Sequence, residues 1–230
     1  TPMMSGVRTS VNAADMVVSA NGTAIYVAGS SGGSNLMVEP VWVTRAGAAT
    51  PMDSTWTMNT PQALLENAIA LSPDGQRLAL TVPRTGLGDH DIWVKQLDRT
   101  SGTLTKLTFE GNNMHPAWTP DGQRVLYAGG GRSLRSRRAD GTGAVDTLFM
   151  SLRGVYSVVL TPDSNTFVLR LNGPNDIALA HRGDTATVPL VASPVFSENS
   201  PALSPDGRWL AYSSNESGRF EVYVRPYPNV

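Results

Sequence analysis

The tetrapeptide Ser72-Pro73-Asp74-Gly75 decides the fold, because it recurs along the chain. Three later copies follow at intervals of 47, 42 and 43 residues, and a degenerate copy lies 53 residues before the first. Proline presets the φ angle of a turn, aspartate bonds to the nearby backbone, and glycine adopts the positive φ that closes a hairpin. We therefore interpret all copies as structural turns. The others are Ser19-Ala20-Asn21-Gly22, Thr119-Pro120-Asp121-Gly122, Thr161-Pro162-Asp163-Ser164 and Ser204-Pro205-Asp206-Gly207.

Short apolar runs flank every turn in the same order. In the second unit, one run precedes the turn at residues 68–71 and another follows it at residues 78–82. A third run, Ile92-Trp93-Val94, comes after a variable loop, and a short fourth run lies at residues 104–107. Each run has the length and the β-branched or aromatic content of a strand. Four strands in each repeat of about 42 residues are typical of a β-propeller.

The repeats predict an all-β fold, a single β-propeller domain over residues 1–230 with about five four-stranded blades. The last unit ends after its third strand, whereas Thr1-Pro2-Met3 is similar to the fourth-strand segment Thr50-Pro51-Met52. Residues 1–6 are therefore a candidate closing strand for a five-bladed ring. Alternatively, the chain is part of a larger propeller. The five units span approximately residues 11–53, 67–109, 114–150, 155–192 and 198–230.

Composition excludes several classes of protein and partner. The 230 residues carry a net charge of -1, so no global charge attracts nucleic acid. There is no cysteine, which excludes disulfides, cysteine nucleophiles and cysteine-based metal sites. No apolar run approaches the roughly 18 residues that a membrane span needs. We therefore expect neither a nucleic-acid partner nor a direct membrane span.

The turn and the Ile-aromatic-Val strand together resemble the TolB-type propeller repeat. More narrowly, residues 6–33 and 198–230 are similar to the propeller region that follows the kinase and membrane span of certain bacterial receptor-type Ser/Thr kinases. This resemblance implies a propeller fold in a bacterial protein and an extracytoplasmic, periplasmic location. It does not imply kinase activity, since the sequence has no kinase motif. Departures from the repeat are Ser164 in place of glycine, the missing proline of the first unit and the arginine-rich third strand of the third unit.

Motifs that could carry chemistry are better explained as structure. Gly29-Ser30-Ser31-Gly32-Gly33 matches G-x-S-x-G, but a second strand follows it instead of the helix that a nucleophile elbow requires. Asp89-His90-Asp91 is predicted to be a solvated loop ahead of a strand, and His115 a structural histidine near an inner strand. The turn aspartates lie one per unit and cannot converge on one calcium ion. We predict no catalytic residue, no metal site and no cofactor.

Two departures from the repeat are candidate partner-binding sites. One is the arginine-rich strand, because arginine suits carboxylate recognition and is frequent at interfaces. A charged edge strand that resists aggregation is the alternative. The other is the insertion at residues 53–66, which exposes apolar residues. The candidate residues are Trp56, Arg132, Arg135, Arg137 and Arg138.

These features favour a non-catalytic interaction or scaffold module located outside the cytoplasm. We expect it to be an accessory subunit docked on a larger membrane-associated complex, with other protein subunits as its partners. A respiratory, photosynthetic, secretion or envelope complex is compatible with the sequence. The alternative is the ligand-sensing ectodomain of a receptor-type Ser/Thr kinase that binds a ligand at the central channel.

Overall fold

The computed structural model describes ten segments of the backbone. They are residues 16–18, 24–27, 35–38, 40–44, 48–52, 58–61, 68–84, 89–97, 102–173 and 175–229. Side chains are described within residues 41–44 and 48–52 and in the segments from residue 68 onward. Among these residues there is no helix with the length and apolarity needed to cross a bilayer.

Strands dominate the described chain. In the first two units they are β1 (Met16–Val18), β2 (Ala24–Val27), β3 (Asn35–Val38), β4 (Pro40–Val43), β5 (Ala49–Pro51), β6 (Met58–Pro61), β7 (Ile69–Leu71), β8 (Arg77–Pro83), β9 (His90–Gln96) and β10 (Leu104–Lys106). In the third and fourth they are β11 (Asn113–Trp118), β12 (Arg124–Gly129), β13 (Ser133–Arg138), β14 (Asp146–Met150), β15 (Val155–Leu160), β16 (Thr166–Leu171), β17 (Asp176–His181) and β18 (Val188–Val191). The last are β19 (Glu198–Leu203), β20 (Trp209–Ser214) and β21 (Glu221–Pro226).

The strands form antiparallel sheets in the order of a propeller. Four sheets have four strands each, in the orders β1-β2-β4-β5, β7-β8-β9-β10, β11-β12-β13-β14 and β15-β16-β17-β18. A fifth sheet has the described strands β19-β20-β21, and β3 pairs with β6. The first strand of each sheet contacts the first strand of the next, from β1 to β19. The predicted all-β propeller is thus confirmed with four complete blades, whereas a closed five-bladed ring stays a prediction.

The core lies between neighbouring blades. Leu134 and Phe149 of the third blade pack against Phe167 and Leu169 of the fourth, and all four side chains are buried. Similar layers join the second blade to the third and the fourth blade to the fifth sheet. The alternating side chains of each strand therefore serve two interfaces, one on each face of the blade.

The repeated turns have the backbone geometry that their residues favour. Gly75 has φ +72°, and its amide donates to the Ser72 carbonyl oxygen at 2.8 Å. Ser164 occupies the equivalent position with φ +58°. The positive φ of that unit therefore lies on Ser164 and not on the next residue, Asn165. The Ser164 amide closes the turn on the Thr161 carbonyl oxygen at 2.9 Å, and a residue with positive φ at that point leads the chain back into β16.

Substituting the glycine of a turn is expected to destabilise the protein. Gly75→Val should cost more than about 1 kcal/mol of unfolding free energy, because a β-branched residue is penalised at positive φ. Ser164→Gly should act in the opposite direction and add about 0.5 kcal/mol, since relief of the φ penalty exceeds the entropy cost of glycine. Urea titrations of both variants check this. Equal stability of Gly75→Val and the wild type would contradict the interpretation of these tetrapeptides as structural turns.

The fifth sheet presents an apolar face on the side away from the fourth blade. Val222 is 76% exposed there, and Val224 and Trp209 are also exposed. Val168 and Ile177, which face the same way in the fourth blade, are buried against the fifth sheet. A further blade would bury Val222 and Val224 in the same manner.

Deletion of residues 1–6, which lie outside the described residues, tests ring closure. If they supply the fourth strand of the last blade, the deletion should lower the urea midpoint and promote association, because an unpaired strand edge attracts other chains. The deletion should have no effect if a larger propeller supplies that strand. The measurements are urea unfolding and light scattering.

Candidate functional site

The two ends of the propeller differ, and we name them the turn face and the loop face. The turn face carries the Ser-Pro-Asp-Gly turns. The loop face comprises residues 111–113, 129–133, 151–154, 172–173, 175–176 and 192–197. Backbone bonds join its loops: Gly130 N donates to Asn112 O at 3.0 Å, Ser151 N to Arg132 O at 2.9 Å, Asn172 N to Gly154 O at 2.9 Å and Glu198 N to Asn175 O at 3.0 Å. The loops of three consecutive blades thus form one continuous surface.

On the turn face, the aspartate oxygens are used within each turn. Asp206 accepts from the Ser204 hydroxyl at 2.6 Å and from the Arg208 amide at 3.1 Å. The Ser204 hydroxyl and the Arg208 guanidinium lower the pKa of Asp206 to about 2. Asp74, Asp121 and Asp163 accept the equivalent hydroxyl and amide bonds. These contacts assign the four carboxylates to turn stabilisation.

The arginine-rich strand lies inside the third blade. Strand β13 pairs with β12 on one side and β14 on the other, so the edge-strand interpretation is wrong. Arg137 donates to the carbonyl oxygens of Leu107 at 2.8 Å and Gly141 at 3.0 Å. Its side chain therefore ties the third blade to the second. Arg135 lies against Gly129, where an added Cβ would lie 2.6 Å from the Arg135 Cδ.

The remaining candidate arginines lie at opposite ends of that strand. Arg138 is exposed at the turn-face end and pairs with Asp140 at 2.7 Å. Arg132 is exposed on the loop face and has no ionic partner within the described residues. The structure therefore does not bring the candidates together as one binding surface. Trp56 lies outside the described residues.

The Asp89-His90-Asp91 segment is not the predicted solvated loop. His90 and Asp91 lie in β9, and Asp91 is 0% exposed. Its carboxylate accepts from the Thr108 hydroxyl at 2.9 Å and from Gly111 N at 3.3 Å, and Lys106 Nζ lies 2.7 Å away. Burial opposes ionisation, but hydrogen bonds from Lys106 and Thr108 hold the pKa of Asp91 below its usual range. Burial lowers the pKa of His90.

His115 lies buried in β11, the first strand of its blade. Its ring stacks on Tyr156 of the next blade, with the centroids 4.1 Å apart. The guanidinium of Arg170 lies 3.8 Å from the centroid of the same tyrosine. The His115 amide, at φ +56°, donates to the Thr81 hydroxyl at 3.1 Å. The first strands of two blades are thus joined by a stack of polar rings, and a structural role for His115 agrees with these contacts.

A buried pair of acids on the loop face escaped the sequence analysis. Glu198 begins β19 and is 2% exposed, and Asp176 begins β17 and is also buried. Arg153 Nη1 lies 2.5 Å from Asp176 Oδ2. Glu198 Oε2 and Asp176 Oδ1 have no hydrogen-bond partner within the described residues. Burial, and then the charge of Asp176, raise the pKa of Glu198 to about 7.

An alignment of the repeats could have drawn attention to Glu198. Glu198 lies five residues before Leu203, and Asn113 occupies the same position before Trp118 in the third unit. Asn113 is also buried, and its amide donates to Gly111 O at 3.0 Å. A neutral amide is thus replaced by a carboxylate at one blade junction. Within the described residues, no group of three or more His, Asp or Glu side chains could hold a metal ion.

Comparison with known proteins identifies the repeat. The family model described as TolB beta propeller domain matches residues 54–225, most of the chain. TolB from Acinetobacter baumannii has a TM-score of 0.68 and 17% identity, over 90% of this chain and 49% of that one, so this chain spans about half its length. Putative TolB from Agrobacterium tumefaciens has a TM-score of 0.54 and 17% identity, over 96% and 78% of the two chains.

A third solved structure extends the comparison to an enzyme. Hydrazine synthase of Kuenenia stuttgartiensis has a TM-score of 0.54 and 14% identity, over 98% of this chain and 66% of that one. No curated protein matches the sequence. At these identities the solved structures show a shared fold alone.

Proposed function

The chain belongs to the TolB β-propeller domain family, and on that premise we propose that it is a non-catalytic protein-interaction module. In this proposal it acts outside the cytoplasm, in the bacterial periplasm, as an accessory or scaffold subunit of a larger membrane-associated complex. The propeller fold is a frequent platform for protein interaction because loops of several blades meet on one rigid surface. Membership of the TolB β-propeller domain family supports the extracytoplasmic location, and the resemblance to receptor-kinase propellers stays an expectation from the sequence.

Exposed apolar side chains on the loop face, whose loops are joined by hydrogen bonds, are the observation that carries the proposal. Leu152 is 91% exposed and Val195 is 75% exposed, and both lie in loops. The Ser193 hydroxyl accepts a hydrogen bond from the amide of Val195 at 3.2 Å, and the Ser151 amide donates one to the Arg132 carbonyl oxygen. Large apolar groups on loops that are already ordered lose little entropy on binding, so they suit a docking surface.

Purification from native membranes tests this function. We expect a tagged chain to be recovered with other subunits at constant stoichiometry. The double variant Leu152→Asp, Val195→Asp should reduce that recovery at least ten-fold while its circular dichroism is unchanged. Val188→Asp is the control, because Val188 is exposed on the outer strand β18 away from the loop face. Recovery of the free chain alone, from wild-type membranes, would contradict an accessory-subunit role.

The alternative is a ligand-sensing ectodomain, and the partly exposed Tyr156 on the first strand β15 is the observation that favours it. The first strands line the axis of a propeller. In this alternative, Tyr156→Ala would abolish the response to ligand and the Leu152→Asp, Val195→Asp variant would be silent. A kinase and a membrane span encoded upstream in the same gene would support the sensor.

A further inference from the structure

The fifth sheet has an open edge at β21. Strand β21 pairs with β20 on one side and with no described strand on the other, whereas the corresponding strand of each complete blade also pairs with a fourth strand. The Tyr227 amide donates to the Arg208 carbonyl oxygen at 2.8 Å, one position beyond the β20 pairing. Hydrogen-bonded and non-hydrogen-bonded pairs alternate along antiparallel strands, so the amides and carbonyls of Val222 and Val224 point away from β20. Another strand can pair with these groups.

The side chains of β21 alternate between the two faces of the sheet. Tyr223 packs in the cluster between the fourth blade and the fifth sheet. Glu221 and Arg225 lie two positions before and two positions after it, on the same face, and carry opposite charges. Val222 and Val224 lie on the other face, with most of their surface in solvent. The strand is therefore symmetric about Tyr223 in its apolar residues and opposite in charge at its two ends.

A strand with this pattern is complementary to a second copy of itself. Antiparallel pairing with Tyr223 on the two-fold axis places Glu221 opposite Arg225 of the second copy and Val222 opposite its Val224, and symmetry repeats each pair. Opposite charges and apolar side chains are both favourable cross-strand pairs. The backbone groups of Val222 and Val224 that point to the open edge then face each other and exchange hydrogen bonds. A shift of one residue would set them opposite groups that point to β20.

The charged side chains of β21 can exchange their present partners at little cost. Glu221 pairs with Arg219 at 2.7 Å, and Arg225 lies 3.7 Å from Glu216. Both partners belong to the loop between β20 and β21, and Glu221 and Arg225 are partly exposed. Ion pairs at the surface contribute little to stability, so the two side chains can turn to a second copy.

We propose that the chain forms a symmetric dimer in which the β21 strands of two copies pair antiparallel about Tyr223. The pairing joins the described strands of the two fifth sheets into one six-stranded sheet. A single strand pair is a small interface, so the dimer is reversible and dissociates on dilution. It needs no other subunit and therefore goes beyond the proposed function.

Sedimentation velocity of the full chain over a range of concentrations tests the dimer. We expect the mass to rise from that of a monomer to that of a dimer. Glu221→Arg and Arg225→Glu should each weaken dimerisation at least ten-fold, because each substitution sets like charges opposite each other. An equimolar mixture of the two variants should dimerise as the wild type does, since each chain then meets the opposite charge. Arg138→Glu is the matched control: Arg138 is an exposed arginine of the third blade that pairs with Asp140 at 2.7 Å, and its reversal should leave dimerisation unchanged.

Three outcomes would overturn the inference. One is a chain that stays monomeric at every concentration, and another is a dimer that neither charge reversal weakens. The third is a monomer that dimerises only after deletion of residues 1–6, because those residues would then cover β21 in the intact chain. Recovery of other subunits from native membranes decides the proposed function separately in each case.

Discussion

The Glu198→Gln variant is expected to be more stable than the wild type at pH 8 by up to about 3 kcal/mol. The folded-state pKa of Glu198 is raised from 4.5 to about 7 by burial and by the charge of Asp176. A shift of that size corresponds to about 3 kcal/mol of difference between the two protonation states. Glutamine has nearly the same shape as the protonated acid and does not ionise. It therefore avoids a second buried negative charge at the junction of the fourth blade and the fifth sheet.

The sign of the pH dependence follows from the raised pKa. The contribution of Glu198 to the free energy of unfolding is fully present below its unfolded-state pKa of 4.5 and is lost as pH rises through about 7. Wild type and Glu198→Gln should therefore be about equally stable at pH 4.5 and diverge up to pH 8. Urea titrations across this range measure the difference. A stability difference that does not change with pH would refute the buried acid pair.

Glu221→Gln is the matched control for this prediction. Glu221 is a carboxylate in the same sheet, at the surface, where Arg219 pairs with it at 2.7 Å. The hydrogen bonds from Arg219 and Ser217 lower the pKa of Glu221, so this carboxylate titrates at a lower pH than Glu198. The stability of Glu221→Gln should run parallel to that of the wild type between pH 5 and pH 8.

The Asp91→Ala variant is expected to lose roughly 3 kcal/mol of unfolding free energy. Removal of the carboxylate leaves the buried Thr108 hydroxyl and the Gly111 amide without their acceptor, and Lys106 loses its ion pair. Removing one partner of a buried ion pair costs about 3–5 kcal/mol. Asp91→Asn should lose less, because the amide oxygen still accepts from Thr108. Urea unfolding measures both variants.

Hydrogen exchange should show which part of the protein is destabilised in Asp91→Ala. The amides of residues 108–113, which connect the second blade to the third, should exchange faster while those of the fourth blade keep their protection. Asp89→Ala is the control, since Asp89 is half exposed and pairs only with Arg84 within the described residues, at 3.4 Å. It should cost less than about 1 kcal/mol. An equal loss in both variants would show that burial of Asp91 is not the source of the effect.

Much of the architecture could be read from local patterns. Each Ser-Pro-Asp-Gly turn bonds to itself through the hydroxyl at its first position and the aspartate at its third, so its conformation depends on a few adjacent residues. The short continuous apolar runs on both sides of the turn then predict strands that are covered on two faces. Propeller class and repeat length follow from these local features, and the TolB resemblance is confirmed by the family match.

The side-chain roles depended on contacts between blades, which no local pattern specifies. Arg137 bonds to Leu107, thirty positions earlier in the sequence, and Asp91 collects donors from the connection to the next blade. The same residue types in an isolated hairpin would face water, which is why the sequence predicted a binding strand and a solvated loop.

The amino-acid sequence by itself determined the blades, the turns and the family, because these are set by backbone preferences and short-range hydrogen bonds. Only the tertiary structure decided which charges are buried. Glu198 and Asp176 are 22 positions apart, and their proximity arises where the first strand of one sheet packs beside the third strand of the previous one. Desolvation acts through that packing, so its effect on the pKa of Glu198 appears only when the blades are assembled.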